Sequence, residues 1–253
     1  MDRIERYKSR FTLIELLAVV ALSSMLMALG VPAFARMIRG NKKNECARSI
    51  KLAMEQAQMR AASERRYVAL IFPSGKVSDK LKPYRLGGFR TAWVKKTAPS
   101  SYEFCKWLDP EWRNAPDGAM LVKIGTRTAD VEPDANNIVS NCAKTDADEL
   151  NGADGELKKL SGLKDDDGST SLDAGDNYAL VFTPYGGVAS TSKLYFLVSE
   201  ATATGDKVVN TGSGDADATK LVYPSAEQQG ETRNYRVLKV NNLTGRVEFY
   251  DED

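Results

Sequence analysis

Apolar residues run almost unbroken from Phe11 to Ala35, interrupted by a single charge, Glu15. As a helix rising about 1.5 Å per residue, this stretch extends roughly 37 Å, enough to cross a bilayer. Residues 36–66 change character. They are rich in good helix formers beyond Gly40 and Asn41, and Ile50, Met54, Ala57 and Ala61 recur at helical spacing to draw one apolar stripe. The pattern predicts an amphipathic helix whose small alanines let it approach a sheet closely.

From Tyr67 onward the period shortens to that of strands. "YVALIF" at 67–72 ends in Pro-Ser-Gly, "YALVF" at 178–182 is closed by "TPYGG", and "KLYFLV" follows at 193–198. "NYRVLKV" at 234–240 and "RVEFY" at 246–250 flank the polar "NNLTG", which predicts a closing hairpin and antiparallel pairing. "TAWVKK" and "AMLVKI" are further strand candidates, and "WLDPEWR" reads as a turn around Pro110. Trp107 and Trp112 are either local core anchors or a partner surface. Residues 145–176 hold ten Asp/Glu against three Lys, and with 201–220 they are expected to form long loops.

Charge sharpens this division. Residues 1–66 carry 13 Lys/Arg and 6 Asp/Glu, a balance of +7, whereas the remainder carries 22 against 28, or −6. In front of the apolar run, "MDRIERYKSR" favours a cytoplasmic amino terminus by the positive-inside tendency. Three readings of the run stand open. "AFA" at 33–35 fits a signal-peptide cleavage site, although the apolar region is far longer than usual. A plain anchor would carry Glu15 at interface depth, and a third reading makes Glu15 functional.

The chain contains no histidine, which removes Ser-His-Asp, Cys-His and His-based metal chemistry, so an enzyme is not expected. Cys46, Cys105 and Cys142 form no CxxC pair. Cys105 and Cys142 are a possible disulfide in an oxidising compartment, with buried thiols as the alternative. Asp165, Asp167 and Asp176 in "DDDGSTSLDAGD" are weak calcium candidates. Counted from Asp165, however, Gly168 falls at position 4 where an EF-hand loop needs it at 6, and position 12 is Asp176, not Glu. A solvated acidic loop is the alternative, and no cofactor is expected otherwise. The basic residues from Arg36 to Lys51 lack interleaved aromatics, and the acidic body repels phosphate, so nucleic acid is an unlikely partner.

The stretch "FTLIELL" at 11–17 resembles the amino-terminal signature of type IV pilins and type II secretion pseudopilins. The resemblance implies that a prepilin peptidase removes residues 1–10, that Phe11 becomes the methylated new terminus, and that Glu15 serves assembly. Arg10 stands where the family leader normally ends in glycine, so the mature first residue is Phe11 on this reading, Met1 without processing, or Arg36 on the signal-peptide reading. Pro32 matches a proline at which pilin-like helices bend. "ARSIKLAMEQAQMRAASERRYVALIFPSG", "YALVFTPYGGVAS" and "VNNLTGRVEFY" are similar to the GspH/FimT minor subunits.

Together these give an expected α+β fold: a leader at 1–10, a transmembrane and assembly helix at 11–35 kinked near Pro32, and an amphipathic helix at 36–66. It packs on a small antiparallel, pilin-like β domain at 67–253. The implied function is that of a minor pseudopilin in type II secretion. Its partners would be other pilin-like subunits, the prepilin peptidase, inner-membrane lipid and the secretion assembly platform. The implied location is the bacterial inner membrane, single-pass, with a periplasmic β domain. The alternatives are a minor type IV pilin serving adhesion, motility or DNA uptake, and a membrane-anchored extracytoplasmic binding protein.

Overall fold

The computed structural model describes residues 13–73, 79–116, 118–135, 138–140, 156–166, 168, 171–172, 177–204, 207–210, 216–217, 220–222 and 235–250. Contacts divide the chain into two compact units, Met1–Arg39 and Gly40–Asp253. Helix α1, Leu13–Glu64, is followed by strands β1 (Tyr67–Ile71), β2 (Gly88–Lys96), β3 (Ser101–Trp107), β4 (Arg113–Asn114) and β5 (Met120–Gly125). A short helix α2 (Thr128–Val131) precedes β6 (Ile138–Ser140), β7 (Lys158–Ser161), β8 (Asn177–Phe182) and β9 (Leu194–Ser199). The chain continues through β10 (Ala201–Thr204), β11 (Lys207–Asn210), β12 (Ala216–Asp217), β13 (Lys220–Val222), β14 (Tyr235–Val240) and β15 (Val247–Tyr250).

Five of these strands close on themselves. β1 pairs with both β8 and β2, and the circuit β1-β8-β7-β3-β2 returns to β1, with β4 attached to β2. Four of the five contacts are antiparallel, whereas β3 and β7 run parallel, Tyr102 opposite Leu160. Strand direction cannot alternate all the way around a ring with an odd number of members, so a five-strand circuit must contain a parallel contact. The interior is narrow and is filled accordingly. Ala69, Ala92 and Ala179 contribute small side chains among Ile71, Val94, Tyr102, Leu160 and Val181.

Alternate residues of the same strands serve a second core. Val68 and Leu70 of β1 and Leu180 and Phe182 of β8 point away from the barrel interior and join the larger cluster. This two-sided use explains why β1 is buried along almost its whole length. The larger cluster also takes Phe196, Leu197 and Val198 from β9 and Val237, Leu238 and Val240 from β14. Those strands belong to a four-strand antiparallel sheet of order β15-β14-β9-β5. The carboxy-terminal part of α1 supplies the other wall through Cys46, Ile50, Met54, Ala57 and Ala61, all buried. Burying Ile50 and Met54 alone is worth about 1.5–3 kcal/mol each.

The architecture corrects the expected fold class. The small antiparallel β domain is replaced by a mixed α/β unit containing a five-strand barrel with a parallel contact. The transmembrane assignment is also corrected: among the described residues, no helix is long and apolar enough to cross a membrane. The helical backbone continues through Pro32, so the kink expected there is not a break in the element. Proline removes one main-chain donor, which a long helix can absorb.

Two stretches expected as loops contain strands. Within 145–176, β7 enters the barrel because Leu157, Leu160 and Leu163 are all buried despite their acidic surroundings. Within 201–220, β10 and β11 form an antiparallel pair, Ala201 opposite Asn210.

Candidate functional site

In the first unit, the surface of α1 is the feature that calls for a partner. Leu13, Ile14, Leu16, Leu17, Val19 and Val20 are between 58% and 81% exposed, and Leu22, Met25, Leu26 and Met27 lie within the same range. Successive helical residues turn by about 100°, so these positions occupy every side of the helix. A helix apolar on all sides is stable in water only when something covers it. The Ser24 hydroxyl donates to the Ala21 carbonyl at 2.8 Å, which satisfies its polar hydrogen within the helix itself.

Glu15 lies in the first turn of α1, on this otherwise apolar surface. Its position has an ordinary structural benefit, since a negative charge near a helix amino terminus complements the macrodipole by about 0.3–1 kcal/mol. Pro32 falls within the helical backbone of the same element. Arg10 and Phe11, the expected processing pair, lie outside the described residues, as do Cys142, Asp167 and Asp176.

In the second unit, an ionic cluster and a cavity gather where β2, β3 and the following turn meet. Arg90 of β2 is 2% exposed. Its Nε and Nη2 donate to the Asp109 carbonyl at 3.0 and 2.9 Å, and Nη2 also reaches the Pro110 carbonyl at 2.6 Å and Asp166 Oδ1 at 2.5 Å. Its guanidinium lies over the Trp107 ring, 4.2 Å from the centroid. The buried Asp109 carboxylate accepts from the Thr91 hydroxyl at 2.6 Å and the Thr91 amide at 3.2 Å. Arg60 of α1 and Arg113 approach its other oxygen, each at 3.5 Å. The cluster thereby ties helix, barrel and turn together.

Beside it opens a cavity of about 510 Å³. Phe104 and Trp107, with ring centroids 4.8 Å apart, form an apolar wall with Leu108 and Pro110. The opposite side is formed by Lys164, Asp165, Asp166 and Gly168, where Trp107 Nε1 donates to the Lys164 carbonyl at 2.9 Å and Gly168 N to the Asp165 carbonyl at 2.9 Å. Gly168 takes the positive φ of +70° that this turn requires. Asp165, a weak calcium candidate, lines this cavity, and Cys105, a possible disulfide partner of Cys142 with a free thiol as the alternative, lines it as an exposed free thiol. Among the described residues, no group of three or more acidic or cysteine side chains is arranged to hold a metal ion.

Trp107 and Trp112 belong to one aromatic run: Trp112 stacks on Tyr84 at 5.6 Å and meets Trp107 edge-on at 5.4 Å. The Arg90–Asp109 cluster was not anticipated from the sequence. The available signal was "WLDPEWR", an aspartate held between two tryptophans, together with an arginine inside the otherwise apolar "GFRTAWV".

Elsewhere, Lys43 and Glu200 are both buried. Burial pushes the Lys43 amine below its ordinary range, the Glu200 charge partly offsets this, and Arg236 adds to the depression. No family model, curated protein or solved structure matches this chain.

Proposed function

We propose that this chain is a pilin-like filament subunit, a minor pseudopilin of a type II secretion system, that assembles through the apolar helix of its first unit. The observation that carries the reading is the exposure of large apolar side chains on every side of α1 between Leu13 and Met27. Neighbouring helices of the same kind would cover that surface, and each CH2 group removed from water contributes about 0.8 kcal/mol. The "FTLIELL" signature supports the same reading, because it supplies both a processing point and a charge at a fixed depth.

On this reading a prepilin peptidase cuts between Arg10 and Phe11, and the freed amine of one subunit meets Glu15 of the next. A carboxylate surrounded by packed apolar helices is strongly driven to find a cation. Pairing neutralises both groups and sets the axial register. The subunit then works in a filament at the bacterial inner membrane, which presents its β unit to cargo or to the secretion machinery.

Glu15→Ala tests the pairing. Its cellular abundance should stay at the wild-type level while its recovery in sheared or pulled-down filaments falls at least about tenfold, equivalent to ~1.4 kcal/mol per contact. Recovery equal to wild type would remove Glu15 from assembly. The proteins that accompany the wild-type chain identify the filament system it serves.

A further inference from the structure

We draw no further inference here: the strongest candidate, the surface patch at the two turns clamped by Gln58 of α1, where the apolar side chains of Tyr185 and Leu243 stand exposed, carries nothing because no feature of the structure shows what covers it.

Discussion

Gly245 illustrates how single residues hold the second unit together. It adopts φ +68° in the hairpin between β14 and β15, and a Cβ there would sit far inside contact distance of the Gly186 carbonyl. That carbonyl and the Thr244 carbonyl both accept from Gln58 Nε2 of α1, at 3.0 and 2.5 Å, so two turns remote in sequence are locked against one helix side chain. Gly245→Ala should lower stability by at least about 1–2 kcal/mol from the left-handed backbone alone, measured by denaturant unfolding. Glu156 is a second such anchor. It accepts from the Ser190 hydroxyl at 2.8 Å, the Thr191 amide at 2.6 Å and the Thr191 hydroxyl. Burial works to raise its pKa, but these hydrogen bonds and the Lys158 charge outweigh it and hold the carboxyl below its ordinary value. A carboxylate depressed in the folded state contributes stability that is complete above its unfolded pKa, about 4.3, and is lost as pH falls through the lower folded value. Glu156→Gln should therefore flatten that acid limb of the stability profile, and an unchanged limb would contradict the assignment. Neither contact was legible in the sequence, because each joins residues more than thirty positions apart.

At the scale of elements, the stripe Ile50, Met54, Ala57 and Ala61 was readable from spacing alone, and it is the buried face of α1. The alanines bring the helix close to the sheets, leaving no room for larger side chains. Ala57→Leu should cost about 1–3 kcal/mol through overpacking. Ala62→Leu, on the exposed side of the same turn, should change stability by less than about 0.5 kcal/mol. Similar losses at both positions in thermal unfolding would contradict the packing described. The strands β1, β8, β9, β14 and β15 were equally legible, since each is a short apolar run bounded by turn residues. β7 was not. Its leucines at 157, 160 and 163 are diluted by charge, and their burial depends on a parallel partner, β3, more than fifty residues earlier. Local composition carries no information about such a pairing.

Across the whole molecule, sequence periodicity reads an apolar helical arm ahead of a β-rich remainder, whereas contacts divide the chain after Arg39, within helix α1. Ring closure was hidden from it, because β1 had to be assigned two partners and an odd strand count forces a parallel contact. The chain thus joins a well-packed unit, with alternate strand faces serving two cores, to a helix whose apolar side chains are left uncovered within one copy. The most direct test is a photo-crosslinking amino acid placed at Leu16 or Val20 of α1 in the native cell, with the same group at Leu243 on the β14–β15 turn as a control. The account predicts covalent products with pilin-like subunits from the two α1 positions, identified by mass spectrometry, and a different set or none from Leu243. Products from Leu16 and Val20 that contain no pilin-like subunit would contradict it.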